Sequence, residues 1–386
     1  MSKRINVLHV TSHNEVCGIA NYQQQFVDGM KHAQDINNIF FGFSPYQTRF
    51  MNKKQYQNVL NEFAKDIKNV DIIHIQHELS FYKHRELASM IKIAYQLNKK
   101  VIVTIHTAFD VEYKKTALKN IKPRLPLNYF RHIRAQKRFE KVHLIPLKHA
   151  DLLIVHNQAT QQSLLNLGYD ASKIMILRIP VPSLDLKLKT NRIKAELDYH
   201  QGDVLLCTVG FVSRTKGVDQ AVKSLLYLPE NYKLAIIGGL HPRGQDKAFL
   251  DEITDFVAYH GLKNRVYITG YVENDDMLNA LIRECDVCVY PYDTTYYSYV
   301  SSAAMNNALA NHMCIIAYPT PTFLELNDEK EVIAFCKSPN YYELAREIRK
   351  INIQKQSQLS RDYAERYSYD KEAMKFVNIY KNLMDF

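Results

Sequence analysis

Apolar runs followed by polar turns repeat along the chain, and the clearest example lies in its second half. The unbroken apolar run Val204–Val209 is typical of a buried strand in a parallel sheet. Gly210 and a turn with two cations, Arg214 and Lys216, follow it, and apolar residues then recur at helical spacing. A cationic turn between a strand and a helix can bind phosphate, but two solvated bases in an ordinary loop give the same pattern.

Four similar runs occur in the first half of the chain, at 5–10, 70–78, 101–107 and 151–157. Each predicts a strand that ends in polar residues, and parallel α/β sheets bind their ligands at such strand ends. We interpret His74, His84 and His156 as loop residues with satisfied hydrogen bonds. For His106, which follows a strongly apolar strand, a functional role and a satisfied loop position both stay open, and we favour function.

The segment Arg178–Ser183 contains two prolines and predicts a domain boundary after a strand at 173–177. Beyond it the pattern restarts, with strands expected at 204–209, 233–237, 265–268, 286–290 and 314–317. Two α/β domains in tandem would leave a cleft between their strand tips. The amphipathic tail Asp370–Leu383 predicts a helix that either packs across the seam between the domains or caps the second one.

The composition agrees with two soluble domains. A chain of 386 residues exceeds one ordinary core, and 46% hydrophobic with 23% charged residues is typical of globular proteins. The basic start leads into a strand rather than a signal peptide, and no apolar run approaches the ~20 residues that span a bilayer. We therefore expect a cytoplasmic protein. Six scattered cysteines, including the CxxC pair Cys285 and Cys288, are expected to be buried thiols rather than metal or redox sites.

The net charge of +10 and the pI near 9.0 predict an anionic partner. Lysines and arginines concentrate in the segment 114–148, where only Glu140 opposes them and aromatic residues are interleaved. This mixture suits a peripheral contact with an anionic membrane, although a solvated loop and helix face would have the same composition. Nucleic acid is not expected, because no nucleic-acid-binding motif occurs.

Two further segments contain candidate polar sites. Ser301 and Ser302 open a predicted helix, where they would either cap its first turn or bind a phosphate. Asn274–Asp276 resembles an acidic metal motif, but it directly precedes the predicted helix 277–282, so we interpret it as a helix cap.

Along essentially its whole length, the sequence resembles the GT-B glycosyltransferases of the large retaining family four, which use nucleotide-sugar donors. The residues that carry the resemblance are Cys17–Tyr22, Ile75–Glu78, Thr104–His106, Gly210–Gly217, Gly270–Val272 and Asp286–Glu325. The resemblance implies an α/β GT-B fold of two Rossmann-like domains with an interdomain cleft and a C-terminal helix that crosses back to the first domain. The implied domains are 1–182 with 367–386, which bind the acceptor, and 183–366, which bind the nucleotide sugar.

The resemblance also implies roles for individual residues. The implied catalytic residues are Lys216, Arg214, His106 and Glu325. The implied donor-binding residues are Gly18, Gly210, Tyr271, Val272, Ser301, Ser302 and Asn307. Lys216 would neutralise the diphosphate as it leaves, and His106 would touch the donor sugar. No metal and no bound cofactor are implied, since a UDP- or GDP-sugar is the donor substrate.

The sequence departs from the family pattern at three positions. Two glutamates that the family usually has eight positions apart fall on Tyr299 and Asn307, and an arginine that commonly follows Gly210 is Phe211. A subgroup with a Ser-Ser helix start and a downstream glutamate, here Glu325, resembles this chain most.

Three functions follow as hypotheses. The first is a retaining glycosyltransferase that transfers a hexose or N-acetylhexosamine to a glycan or lipid-linked acceptor, in bacterial surface polysaccharide or glycoconjugate synthesis. The second is the same enzyme with a protein or nucleic acid acceptor. The third is a non-catalytic partner subunit that binds sugar nucleotides, which the absent glutamates motivate.

Overall fold

The computed structural model describes residues 4–13, 17–42, 51–82, 84–107, 126–184, 187–240, 247–296, 302–327 and 330–384, with residues 126–132 described by their backbone alone. The chain divides into two compact units. Unit 1 comprises Met1–Ile179 and Tyr369–Phe386, and unit 2 comprises Pro180–Ser368. The division falls within the proline segment that predicted a boundary. Each unit contains a six-stranded parallel sheet, which confirms the prediction of two Rossmann-like α/β domains; the cleft between them stays a prediction.

The sheet of unit 1 has the order β2-β1-β3-β4-β5-β6, and all of its strand pairs are parallel. Its strands are β1 (Ile5–Thr11), β2 (Ile36–Gly42), β3 (Ile72–His77), β4 (Lys100–Ile105), β5 (Leu152–Val155) and β6 (Ile174–Ile176). The four apolar runs of the first half form β1, β3, β4 and β5, which are adjacent in the sheet. Their polar ends therefore lie along one edge, where parallel sheets bind ligands.

Helices cover the sheet of unit 1. The α-helices are Gly18–Gly29, Lys53–Asp66, Glu86–Gln96, Pro126–Phe139, Ile145–Leu147, Gln158–Asn166 and Tyr369–Leu383. Short 3-10 helices lie at Ile67–Asn69 and Ala171–Lys173, and a π-helical turn lies at Glu140–Leu144.

The C-terminal helix Tyr369–Leu383 belongs to unit 1. It packs on the helix Gly18–Gly29, with the rings of Phe376 and Phe26 4.7 Å apart. Ala373, Phe376 and Tyr380 are fully buried in the same cluster as strand β1. The amphipathic pattern of the tail is thus satisfied within the first unit, as the family resemblance implied.

The sheet of unit 2 has the order β12-β11-β10-β7-β8-β9. Its strands are β7 (Val204–Val209), β8 (Tyr232–Ile237), β9 (Val266–Ile268), β10 (Val287–Tyr290), β11 (Cys314–Ala317) and β12 (Ala334–Phe335). The chain order reverses between β7 and β10, the kind of switch point at which open α/β sheets bind ligands. The cationic turn directly follows β7 and so lies at this point.

The helices of unit 2 alternate with its strands. They are Arg192–Glu196, Val218–Ser224, Lys247–Tyr259, Asp275–Arg283, Ala303–Ala310, Pro321–Leu324, Tyr341–Lys350 and Ile353–Arg366, with 3-10 turns at Arg214–Lys216, Leu225–Tyr227 and Glu325–Asn327. The predicted cap at Asn274 is confirmed, because its side chain accepts a hydrogen bond from the Met277 backbone N–H at 2.8 Å.

The cysteine pair of the CxxC segment packs into the core of unit 2. Cys285 and Cys288 are buried, and Cys207 Sγ lies 3.3 Å from Cys288 Sγ. Burial raises the pKa of the Cys285 and Cys288 thiols, which keeps them protonated at neutral pH. In this position the thiols act as small apolar side chains.

Candidate functional site

Two glycines shape the turn after β7. Gly217 has φ +63°, and a Cβ atom there would lie 1.8 Å from the carbonyl oxygen of Pro291, just beyond β10. Gly210 has φ +110°, and a Cβ atom there would lie 2.3 Å from Lys216 Nζ. Only glycine combines these dihedral angles with such close approaches. The turn is therefore held against the end of β10, and the lysine folds back over Gly210.

The Lys216 side chain is held in a partly buried position at the end of β7. Its Nζ lies 5.7 Å from the centroid of the Tyr292 ring, within reach of a cation–π interaction. Burial lowers the pKa of Lys216 to about 8. Among the described residues, no carboxylate forms an ion pair with it. An anionic ligand at this amine would compensate the charge that the protein leaves unpaired.

Tyr292 connects this amine to the helix Ala303–Ala310. The Ser302 hydroxyl accepts a hydrogen bond from the Met305 backbone N–H at 3.3 Å and lies 3.2 Å from the Tyr292 hydroxyl. Ser302 therefore caps the helix, and the same hydroxyl lies on the side of the unit that contains Lys216. Ser301 lies outside the described residues. Tyr292, which is 2% exposed, was not among the predicted site residues, because nothing local in the sequence distinguishes it.

Glu325 and Asn307 lie on elements that border the Tyr292 ring. Glu325 directly follows the helix Pro321–Leu324, whose Phe323 packs 5.4 Å from that ring. Asn307 lies on the helix capped by Ser302, and its side chain is half-buried. The roles that the resemblance implied for these two residues stay predictions.

Arg214 turns away from Lys216. Its guanidinium forms an ion pair with both carboxylate oxygens of Glu252 and lies 4.6 Å from the centroid of the Phe249 ring. These residues line a groove of about 190 Å³ between the helices Val218–Ser224 and Lys247–Tyr259. The two cations of the turn thus face different surroundings, and of the two only Lys216 has no carboxylate partner in the described part of unit 2.

Phe211, at the position where the family commonly has an arginine, forms an aromatic contact. The ring of Phe211 stacks on the ring of Tyr271, with centroids 5.8 Å apart and an angle of 9° between planes. Tyr271 is 54% exposed, whereas Val272 packs partly buried on the core of unit 2. The segment that the resemblance assigned to the nucleobase therefore presents a flat aromatic surface next to Gly210.

In unit 1, the first helix begins at Gly18 next to the end of β1. Its N-cap residue is Cys17, whose side chain accepts no hydrogen bond from the backbone N–H groups of the first helical turn. A Cβ atom at Gly18 would meet no atom within 4 Å. The surroundings of Gly18 in the described residues therefore leave open space at this helix start.

His106 follows β4 directly and forms hydrogen bonds inside unit 1. Its Nε2 lies 2.8 Å from the side-chain amide of Gln76, and its Nδ1 lies 3.3 Å from Nε2 of His156. The Tyr22 ring meets it edge-on at 4.9 Å. Burial lowers the pKa of His106 well below its usual value, with the neighbouring histidines contributing, so the ring is neutral at physiological pH.

Two of the histidines interpreted as loop residues have fully used rings. His74 lies within strand β3 rather than in a loop, and that part of the prediction is wrong. Its two ring nitrogens lie 2.7 Å from the Tyr380 and Thr104 hydroxyls. His156 is buried just after β5. The C-terminal helix covers the face of the sheet on which the His74 side chain lies. The sequence does not show where that helix packs, so the partner of His74 could not be predicted from it.

The basic segment 114–148 is described only from residue 126 onward. Its described part forms the helix Pro126–Phe139 and the π-helical turn that follows. Within the described ranges, no helix has the length and apolar character needed to cross a bilayer. The predicted membrane contact stays a prediction.

Two family models match the chain. Residues 28–182 match the model described as Glycosyltransferase Family 4, and residues 189–369 match the model described as Glycosyl transferases group 1. The first match lies in unit 1 apart from its last three residues, and the second lies in unit 2 apart from its last residue. No match was found among curated proteins.

Several solved structures share the fold. Anabaena HepE in complex with UDP has a TM-score of 0.69 at 13% identity, over 98% of this chain and 100% of that one. A glycosyltransferase from Rickettsia africae ESF-5 has a TM-score of 0.71 at 15% identity, over 99% of each chain. The lipopolysaccharide outer core galactosyltransferase WaaB has a TM-score of 0.61 at 11% identity, over 95% of this chain and 98% of that one. At these identities the likeness is one of fold.

Proposed function

Since the chain belongs to the GT-B glycosyltransferases, we propose that it transfers a hexose or N-acetylhexosamine from a nucleoside diphosphate sugar to a glycan or lipid-linked acceptor. We propose further that the transfer retains the anomeric configuration and serves the synthesis of surface polysaccharides or glycoconjugates. Unit 2 would bind the donor and unit 1 the acceptor. The solved HepE complexes with UDP and UDP-glucose favour a UDP-sugar as the donor to test first.

One observation carries this proposal: the unpaired, partly buried amine of Lys216. Keeping an ammonium group in such a place is unfavourable unless an anion binds beside it. A diphosphate is a suitable anion, because negative charge develops on it when the glycosyl–phosphate bond breaks. A fixed cation at the leaving group stabilises that charge more strongly in the transition state than in the bound donor, which is the requirement for catalysis.

The neighbouring residues suit the rest of a sugar nucleotide. The stacked pair Phe211 and Tyr271 offers an exposed aromatic face to a base. The Ser302 hydroxyl lies at the same end of unit 2 as the lysine. When Tyr292 O–H donates to it, its own O–H group is left to donate to a phosphate oxygen. Because Lys216 supplies positive charge directly, we propose that the leaving group is stabilised without a divalent metal ion.

The lipid-linked acceptor is motivated by the basic segment 114–148, which we propose contacts an anionic membrane at the cytoplasmic face. Flotation with vesicles containing anionic lipid, compared with neutral vesicles, tests this part separately. Equal recovery with both kinds of vesicle would refute the membrane contact and leave the donor site unaffected.

The donor site is tested by titration calorimetry and donor turnover with a panel of UDP- and GDP-sugars. We expect Lys216→Met to lower turnover by about 100-fold or more and to weaken nucleoside diphosphate binding. Lys263→Met, at an exposed lysine of the same unit, is the matched control and should change neither quantity. Product anomers read by NMR decide retention, and turnover in excess EDTA decides metal independence.

The outcomes separate the hypotheses. Tight donor binding with no turnover over a broad acceptor panel would favour a non-catalytic partner that binds sugar nucleotides. Phe211 in place of the usual arginine, and the pairing of Arg214 with Glu252, are the observations that favour this alternative. Equal turnover of Lys216→Met and the wild type would overturn the proposed role of the lysine.

A further inference from the structure

A continuous chain of polar contacts runs through unit 1, across its strands and the helix Gly18–Gly29. It starts at the Asn38 amide on β2 and ends at the Leu177 carbonyl just beyond β6. The contacts in order are Asn38 to His9 Nε2 at 2.8 Å, His9 Nδ1 to Gln23 at 2.8 Å, Gln23 to Gln76 at 2.5 Å, Gln76 to His106 Nε2 at 2.8 Å, His106 Nδ1 to His156 Nε2 at 3.3 Å and His156 Nδ1 to Leu177 O at 2.9 Å. The chain thus connects the outer strands through His106.

The three histidines of the chain are neutral. His9 and His156 are buried, and burial lowers the pKa of each to about 4. The pKa of His106 is lowered in the same way. A neutral imidazole has one N–H donor and one bare nitrogen acceptor. When the partner of one ring nitrogen is known to be a donor or an acceptor, the role of the other ring nitrogen is therefore fixed as well.

The last contact of the chain fixes these roles. The Leu177 carbonyl can only accept, so His156 carries its proton on Nδ1 and its Nε2 is bare. The bare nitrogen needs a donor, which is the Nδ1–H group of His106. The Nε2 of His106 is then bare in turn and accepts from the amide NH₂ group of Gln76.

The same reasoning continues to the other end. Gln76 turns its oxygen to the NH₂ of Gln23, whose oxygen accepts from His9 Nδ1–H, and His9 Nε2 accepts from the NH₂ of Asn38. This order requires the amides of Asn38, Gln23 and Gln76 to be rotated by 180° from their placement in the structure, an exchange of nitrogen and oxygen that keeps each contact of the chain. The rotation also places the Gln76 oxygen 3.3 Å from His74 Nε2, which then carries the proton and donates. With the unrotated placement His106 Nδ1 is bare, so His156 either has two N–H groups and a buried positive charge, or turns a second bare nitrogen toward His106 at 3.3 Å with no hydrogen bond. Both arrangements are unfavourable in a buried position.

We propose that Gln76 and His156 are positioning residues that hold His106 in the Nδ1–H tautomer with both ring nitrogens engaged. His106 then neither takes a proton from a substrate nor gives one. It meets a ligand through its ring carbons, as a neutral contact of fixed orientation. The edge-on ring of Tyr22 closes another side of the imidazole. Only the statement that this ligand is the donor sugar rests on the function proposed above.

The tautomers are measured directly by NMR on the full-length protein labelled with ¹⁵N-histidine. Long-range proton–nitrogen correlations at pH 7 distinguish the two tautomers from the imidazolium, and His106→Gln and His156→Gln assign the signals. We expect His9, His106 and His156 all to carry the proton on Nδ1. An Nε2–H signal for His106, or an imidazolium signal for His156, would overturn the proposal whether or not the protein turns over a donor.

Two variants of His156 test the positioning role. His156→Gln can still accept from His106 Nδ1–H through its amide oxygen, whereas His156→Phe keeps a ring and removes the acceptor. We expect His156→Phe to raise the donor KM about tenfold and to mix the His106 tautomers, while His156→Gln restores both. Circular dichroism verifies that both variants fold. An equal loss in the two variants, with the His106 tautomer unchanged in each, would show that His156 has only a packing role.

Discussion

Replacing Lys216 by methionine should make the protein more stable while it removes the proposed activity. Burial lowers the pKa of this lysine from 10.5 to about 8, so the folded state holds the charged form at a cost. One pKa unit corresponds to ~1.4 kcal/mol, which gives about 3 kcal/mol at neutral pH as an upper value. Methionine keeps most of the apolar stem and removes the charge. The free energy of unfolding should therefore rise by about 1–3 kcal/mol.

Urea denaturation followed by far-UV circular dichroism measures this change at pH 7. The matched control is Lys263→Met, at an exposed lysine, which should alter the free energy of unfolding by less than about 0.5 kcal/mol. Because the two units can unfold separately, the transition of unit 2 is identified by its shift with added nucleoside diphosphate.

The pH dependence gives an independent measure of the same quantity. Between pH 8 and 10.5 the unfolded chain retains a proton on residue 216 that the folded state has lost, so wild-type stability gains a contribution as pH rises through this window. Lys216→Met lacks this contribution. Diphosphate binding should change in the opposite sense and weaken as pH rises above about 8, because only the ammonium form attracts the anion.

Two results together would refute this reasoning. One is a Lys216→Met protein that is less stable than the Lys263→Met control. The other is a wild-type stability profile that matches the variant profile between pH 8 and 10. Together these results would mean that the ammonium group of Lys216 is stabilised in the folded state, and that its burial does not lower its pKa.

Two further substitutions test the packing of unit 2. In the urea assay, Gly217→Ala should lower the free energy of unfolding by about 3 kcal/mol or more, because residue 217 has φ +63° and its Cβ would lie 1.8 Å from the Pro291 carbonyl oxygen. The control is Gly261→Ala, which should lower it by only about 1 kcal/mol, because residue 261 has φ +68° but open space around its Cβ. Lys233→Met should cost about 1–3 kcal/mol, because it removes the ion pair with the partly buried Asp203 at 2.9 Å and the hydrogen bonds to the Leu197 and Asp198 carbonyls. Thermal unfolding of the double variant with Asp203→Asn should recover the part of that loss that comes from the unpaired carboxylate.

The sheets could be predicted from the sequence because buried parallel strands form continuous apolar runs. Strands β7 and β11 have the predicted bounds, and the other predicted strands of unit 2 differ by one residue at their start. Strand β2 was missed because Asn37 and Asn38 interrupt its apolar residues at the sheet edge.

The candidate site could be predicted only where its geometry is local. The turn from Gly210 to Gly217 brings Lys216 onto its own preceding strand, so the pattern of strand, glycine and cation contains that information. The pairing of Arg214 with Glu252, and the approach of Tyr292 to the lysine, depend on other elements of the sheet and the helix layer. The histidine chain of unit 1 is formed by residues on or directly after the strands β1 to β6 and on the helix Gly18–Gly29. A single sequence does not show that these residues come into contact.

The assignment of the helix Tyr369–Leu383 to unit 1 has a consequence for how the protein folds during synthesis. The residues of unit 2 emerge from the ribosome as one uninterrupted segment, whereas unit 1 waits for its last helix until that whole segment has been made. Until then the faces of Phe26 and His74 that this helix covers are exposed to other chains. Unit 2 is thus free to fold first, and the nascent first unit is the part most in need of chaperone protection.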